Sequence, residues 1–359
     1  MMFALFLVFL ILSLIFKRSG FFYALFFLFL WICFGWSGEN ADTGIYEFRY
    51  EYYEDMASVT EPFFTWLVEF SNFLKLDYRG FLIMISFFCL LLPTFLLRKL
   101  KVEYMAIPLA FYLVYPYMMS VVIVRFTIAA TVVIYSFGFL LKKTSYGQLK
   151  YLIGVLSATM IHSSCMFFLL LLIVPKVSVK KSVWISLLAF FGILLITTIL
   201  NYVVNADIFF LSEKMGGVSQ EVENMNKTSF NYYAGTILRT IIAVGSFFIV
   251  YKKFYFPNRF NKEEVEIMEN ALKINILFLS SIGFYFISVD FSRLLFPLLF
   301  MNYCIYAKVM ERSNVQVILG SFIFLICAVE LYMLVLRYDF MIKNVFDPFF
   351  NSNLIFSGL

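Results

Sequence analysis

Charged side chains are scarce in this sequence: Asp, Glu, Lys and Arg make up 14% of its 359 residues, where soluble chains carry nearer a quarter. That shortage excludes a water-soluble globular domain, a disordered tail and a nucleic-acid binder, whatever the formal net charge of +5 suggests. Histidine is scarcer still, with His162 alone, which argues against a His-rich metal site. No glycine-rich phosphate loop, zinc-ligand spacing or Gly-x-Ser-x-Gly elbow occurs, so a nucleotide-driven cytosolic reaction has nothing to run it. The five cysteines, Cys33, Cys89, Cys165, Cys304 and Cys327, lie inside apolar runs without paired spacing. They read as small buried hydrophobes rather than a disulfide frame.

What is abundant is apolar surface: 62% hydrophobic residues, 48 Phe and 23 Tyr, with a mean hydropathy of +0.88. The chain is expected to be an all-α polytopic membrane protein, a single domain over 1–359, because lipid leaves backbone groups no partners outside a helix. Eleven transmembrane helices or hairpins can be read from the nearly charge-free stretches. They are Met1–Phe16, Ser19–Gly38, Gly80–Leu97, Tyr104–Val124, Phe126–Leu141, Tyr151–Pro175, Ser182–Ala206, Tyr232–Tyr251, Ile274–Val289, Leu294–Ala307 and Ser313–Leu336. In Met1–Phe16 the basic pair Lys17-Arg18 follows the apolar run, the wrong polarity for a cleaved signal peptide, so it reads as a first span with its amino end outside.

Placing Lys17-Arg18 in the cytoplasm brings the clusters around Arg98, Lys142, Lys252 and Lys308 to the same side. Lys176, Lys180 and Lys181 follow only if Tyr151–Pro175 is a hairpin broken at His162-Ser163-Ser164. Inward basic residues are then mostly lysine, and outward ones mostly arginine: Arg49, Arg79, Arg125, Arg239, Arg293 and Arg337. Two outer loops are long, 37–79 and 205–231. Inside the first, Phe63, Trp66, Leu67, Phe70, Phe73 and Leu74 share one helical face behind Glu61 at the cap and Pro62, an amphipathic helix suited to the membrane surface.

Arg125, Arg239 and Arg293 stand at or near the outward amino-terminal ends of spans. A helix amino terminus favours anions, and a guanidinium adds a forked, permanent cation. Three such ends could converge on a diphosphate at headgroup depth, or each arginine could merely snorkel to the interface. His162, at the hairpin tip, can accept a proton, or can simply be a hydrogen-bonded polar tip. Asp42 and Glu61 are rival bases, though acidic loop residues are usually just solvated. Asp290 can pair with Arg293. Tyr46 and Trp66 suit sugar stacking or an interfacial aromatic belt. No cofactor and no metal are expected.

In order along the chain come Asn40-Ala41-Asp42 with Tyr46, Glu61-Pro62-Phe63-Phe64, Arg125 with Ala129, a span ending in Lys142-Lys143, Ile161-His162-Ser163-Ser164, Arg293 before Pro297, and Asp347-Pro348-Phe349-Phe350. Together they resemble the EpsG/Wzy family of bacterial polysaccharide polymerases over nearly the whole length. Phe126 is a departure, since the family often has Gln after the arginine. The resemblance implies a GT-C-like helical fold and metal-independent glycosyl transfer at the outer face of the cytoplasmic membrane. Undecaprenyl-diphosphate-linked repeat units, donor and acceptor, would be joined as in O-antigen, capsule or exopolysaccharide synthesis. On that reading Arg125, Arg239 and Arg293 hold the diphosphate, while His162, with Asp42 or Glu61 as rivals, deprotonates the acceptor. Tyr46 and Trp66 contact glycan. Membrane lipid, and a flippase and chain-length regulator of the same pathway, are the expected partners. Rival readings are a lipid-linked oligosaccharide flippase, an O-antigen ligase and a membrane acyltransferase.

Overall fold

The computed structural model describes residues 1–53, 61–142, 145–205 and 230–356. Most of the outer loop 205–231, and residues 54–60 of the loop 37–79, therefore lie outside the described residues. Helices and their short connections make up the described residues, with no strand among them. Among the described residues seven helical stretches are long and apolar enough to cross a membrane: Tyr78–Lys99, Val124–Leu141, Val179–Ile199, Tyr233–Lys253, Lys262–Phe286, Val289–Arg312 and Gln316–Leu336. Met2–Ile15, Gly20–Gly35 and Ser163–Lys176 are shorter apolar helices.

In chain order the α-helices that matter below are α1 (Met2–Ile15), α2 (Gly20–Gly35), α3 (Thr43–Glu51), α4 (Pro62–Phe73), α5 (Tyr78–Lys99), α6 (Ala106–Val114), α7 (Tyr117–Val122), α8 (Val124–Leu141), α9 (Gly147–Thr159), α10 (Val179–Asn205), α11 (Phe230–Lys253), α12 (Lys262–Phe278), α13 (Leu295–Arg312) and α14 (Gln316–Leu331). At the centre stands α13, buried at every residue from Leu295 to Met310. Around it α10 keeps Trp184, Leu188, Phe191 and Leu195 exposed, as a lipid-facing helix must. All five cysteines are free and buried, as their apolar settings predict.

One expected span is not a single helix. Tyr104–Val124 breaks into α6 and α7, because Pro116 has no N–H to donate and its ring clashes with the preceding turn. A break inside a membrane frees carbonyls that must find partners. Here the Tyr303 hydroxyl on α13 donates to the Tyr115 carbonyl at 3.0 Å. The span following Lys262 is likewise interrupted, passing through 3-10 turns at Leu279–Phe286 and Val289–Leu294 before α13 begins.

The basic loops share one end of the bundle. Arg18 pairs with Glu103, Lys101 and Lys142 with Glu263, and Lys308 and Arg312 with Glu264. The hairpin reading holds: α9 packs antiparallel to the 3-10 run Ser163–Lys176, and Gln148 at its start donates to the Leu172 carbonyl at 2.8 Å. His162 is therefore carried to the opposite end.

At that opposite end the carboxyl-terminal residues strap down the first loop. Ala41 N–H donates to the Asn344 carbonyl (3.1 Å), Leu354 N–H to the Trp36 carbonyl (2.9 Å) and Asn353 Nδ2 to the Ile32 carbonyl (3.2 Å). Arg79 clamps the same loop through the Gly35 and Ser37 carbonyls. Gly38 makes this approach possible, since a Cβ there would stand 1.9 Å from the Ser352 carbonyl oxygen. Gly38→Ala is expected to cost about 1–3 kcal/mol, the usual penalty for overpacking, and to expose the carboxyl terminus to protease. Unchanged melting and unchanged limited proteolysis would refute the strap.

Candidate active site

The end opposite the basic network carries a cavity of about 620 Å³. Arg125, His162 and Arg293 line it, with Ser163, Ser164, Ser288 and Asp290 completing the polar part and Met166, Phe167, Phe284 and Phe291 an apolar wall. Two of the three arginines singled out in the sequence thus meet the one histidine.

Arg125 is the second residue of α8 and Arg293 lies in the 3-10 turn that leads into α13, so each is set at or near the start of a helix. Each guanidinium already touches a carboxylate. Arg125 Nη1 is 2.5 Å from Glu61 Oε2, and Arg293 Nη2 is 3.2 Å from Asp290 Oδ2, with its Nε donating to the Asp290 carbonyl at 2.8 Å. The two pairs differ in rigidity. The Glu61 side chain is 8% exposed, whereas that of Asp290 is 66% exposed and free to swing into solvent. Arg125 Nε is buried and has no hydrogen-bond partner among the described residues.

Glu61 does more than neutralise Arg125. Its Oε1 accepts from Ser163 N–H at 2.9 Å, and two residues on, Phe63 N–H donates to the Met160 carbonyl at 3.0 Å. The first turn of α4 and the tip of the hairpin so satisfy each other's unpaired backbone groups, and Pro62 at N1 has no N–H that needs one. With both oxygens engaged, Glu61 stands as a strut that fixes Arg125 and the His162 turn.

His162 packs edge-on against Phe126 (centroids 5.3 Å apart), and Arg293 lies 5.9 Å from the same ring. Its Nδ1 shares a 2.8 Å hydrogen bond with Ser164 Oγ. Burial, then the charges of Arg293 and Arg125, push the imidazole down to about 3, so it is neutral at physiological pH.

Asp42, which caps α3 without a side-chain cap bond, does not line the cavity but feels it. Burial raises its carboxyl from the ordinary value, with Arg293 opposing and Asp290 reinforcing the shift. Tyr46 is held above its ordinary value by burial and then by Asp42, and its hydroxyl lies by the Arg125 backbone N–H. Trp66 is 54% exposed on α4, against Phe63. Neither aromatic lines the cavity. The apolar face of α4 is exposed at Phe70 and Phe73 as well.

Arg239 is not brought to this cavity. It is buried in the bundle, its Nε donating to Glu330 Oε2 at 3.0 Å and its Nη2 to the Tyr115 hydroxyl. Between it and the cavity lie Phe296, packed on Tyr115, and Phe126, packed on Phe296. The three-arginine convergence is therefore corrected to a pair, Arg125 and Arg293. Arg239 instead pins the helix break at Tyr115-Pro116 to α14. Sequence reasoning overlooked the apolar wall of Met166, Phe284 and Phe291, for which the Ser288 and Asp290 interruption of an apolar run was the available signal. The clamping of the first loop by Arg79 and the close approach at Gly38 carry no local pattern in the sequence.

Comparison with known proteins gives one positive result. A model of the EpsG family matches residues 20–346. No curated protein and no solved structure matches the chain. The match includes every residue of the cavity, Glu61 and Asp42, and by its extent the chain belongs to the EpsG family, the Wzy-like polysaccharide polymerases.

Proposed function

We propose that the cavity holds the diphosphate of a polyprenyl-diphosphate-linked glycan, the undecaprenyl carrier in bacteria, and that the protein joins repeat units there, as in O-antigen, capsule or exopolysaccharide synthesis. The observation that carries this reading is the cavity's composition: two guanidinium groups and a neutral imidazole beside a wall of Met and Phe. A headgroup with two phosphates and an apolar tail matches that division.

Arg125, held rigidly by Glu61, is the fixed contact. Arg293 is the adjustable one, because Asp290 can leave for solvent when an anion arrives. His162, neutral, offers a ring N–H to phosphate oxygen when Ser164 donates to Nδ1. In the reaction the acceptor hydroxyl oxygen bonds to the anomeric carbon of the donor glycan. The bond from that carbon to diphosphate breaks, its electron pair leaves on the diphosphate oxygen, and the hydroxyl proton passes to Asp42, whose carboxyl feels Arg293 and Asp290 of the cavity lining. Arginines aimed at the leaving oxygen stabilise its charge. Cleavage of the bond between the donor glycan and its diphosphate supplies the driving force, and no step is routed through a cofactor or metal.

Topology completes the reading. The lysine-rich end lies in the cytoplasm, the cavity faces the exterior of the cytoplasmic membrane, and α4 rests its exposed Trp66, Phe70 and Phe73 in the outer interface. About eleven crossings in a GT-C-like arrangement, and work beside a flippase and a chain-length regulator, belong to the same proposal.

Arg125→Ala and Arg293→Ala, made separately, are each expected to lower polymerisation about 10²–10³-fold, the usual loss on removing one charge-stabilising donor. The readout is the length distribution of surface glycan, collapsing toward a single repeat unit. Long-chain polymer persisting in both variants would sink the diphosphate assignment. A deletion strain that instead traps lipid-linked intermediates inside the cell would indicate a flippase.

A further inference from the structure

At the basic end, a second cavity opens sideways from the bundle. It is a groove of about 470 Å³, within the range of sites that bind small apolar ligands. Its floor is α6, at Ala110 and Phe111, and its walls are α1 and α14. Both walls pack on α6 and are tied together at the basic end, where Lys17 Nζ donates to Gln316 Oε1 at 2.7 Å. The groove is open along its length: Ile11 on one wall is 60% exposed and Val317 on the other 82%.

The head of the groove is polar and positive. Lys17 lines it, and both Lys17 and Arg18 lie over the Tyr104 ring, at 4.5 and 5.2 Å. Several cations of this end are compensated: Arg18 by Glu103, Lys142 by Glu263, Lys308 by Glu264. Lys17 differs. Among the described residues no carboxylate lies within ion-pair distance of it, and its hydrogen bond goes to a neutral amide that also bonds the Tyr104 hydroxyl. An ammonium has three donors, so two remain for a ligand. A cation without a counter-ion at the mouth of an apolar channel asks for an anion with a hydrocarbon tail, and basic pockets between helices commonly take anionic headgroups.

We infer that the groove between α1, α6 and α14 holds an acyl chain of one anionic phospholipid, whose phosphate sits on Lys17 with Arg18 beside it. The site is separate from the cavity of Arg125 and Arg293, at the other end of the bundle, and does not depend on the reaction assigned there.

The test uses full-length protein in mild detergent, titrated with phosphatidylglycerol or phosphatidylcholine and examined by native mass spectrometry. Wild type is expected to retain one phosphatidylglycerol in preference to phosphatidylcholine. Lys17→Ala should reduce that preference about fivefold, the worth of one lysine at an anionic surface, and Lys17→Arg should restore it. Ser321→Trp, an exposed position on the α14 wall, should block both lipids while melting as wild type does. If Ser321→Trp fails to fold, the Lys17 pair still decides. Equal retention of the two lipids by wild type, or phosphatidylglycerol retention unchanged in Lys17→Ala, would overturn the inference. So would displacement of phosphatidylglycerol by equimolar polyprenyl phosphate, which would give the groove to the carrier's tail.

Discussion

Glu330→Ala is expected to destabilise the protein by about 3–5 kcal/mol, the usual consequence of leaving one charge of a buried pair alone. Glu330 is fully buried, as is its partner Arg239, and among the described residues Glu330 Oε2 supplies the counter-charge to that guanidinium. Removing the carboxylate strands a cation among Tyr115, Thr240 and Tyr285, where hydrocarbon surrounds the bundle and charge is expensive. Arg239→Met should do comparable harm, because it strands Glu330 and takes the partner from the Tyr115 hydroxyl. The triple change Arg239→Met, Glu330→Met, Tyr115→Phe should recover most of the loss, since apolar residues of similar volume often replace a buried pair at little cost. Thermal unfolding in detergent reads the three variants. The same triple variant bears on function. If Arg239 only pins the break between α6 and α7, polymer made per folded molecule stays near wild type. If it touches diphosphate, the rescued protein folds but makes no long chains.

That cluster also shows where sequence and structure part. The outward arginines could be found because charge in or beside an apolar run is rare. Arg239 looks the same by that criterion. What distinguishes it is Glu330, 91 residues away in the chain, and no local spacing announces a partner at that separation. The hairpin tip was legible from two independent signals, the polar His162-Ser163-Ser164 and the lysines that had to return to the basic end. The break at Pro116 had its signal too, but an apolar run of membrane-spanning length outweighed one proline, and the compensating Tyr303 hydroxyl lies on another helix. Glu61 was read by residue type as a rival base. Its actual bonds, to Arg125 and to the Ser163 backbone, arise only when α4 meets the hairpin, and they assign it to positioning. The groove on α6 was invisible for the same reason: three short apolar faces, each ordinary alone, make a channel only when α1 and α14 stand apart.

Asp42→Asn is expected to lower the polymerisation rate about 10²–10⁴-fold, the range for loss of a general base, while His162→Gln should cost far less. Residue type favours imidazole for this role, but the surroundings reverse the order. A base must hold a proton during the reaction, and burial beside Arg293 and Arg125 leaves His162 reluctant to do so, its value pressed down to about 3. Asp42 is displaced the other way, upward from its ordinary value, chiefly by burial, which makes it a readier proton acceptor. The pH profile of kcat/KM separates the two. Wild type should lose activity on acidification as Asp42 takes up a proton, and this limb should vanish in Asp42→Asn and survive in His162→Gln. Stability moves independently of that limb. Because the folded state disfavours protonated His162, the imidazole contributes stability above its ordinary 6.5, and this is lost as pH falls from there toward 3. Unfolding midpoints of wild type should therefore drop across that interval more than those of His162→Gln, at pH values where rate and folding can be measured on the same sample. An acid limb that disappears with His162→Gln and persists in Asp42→Asn would return the base to the histidine, and with it the proton to a side chain of the cavity lining.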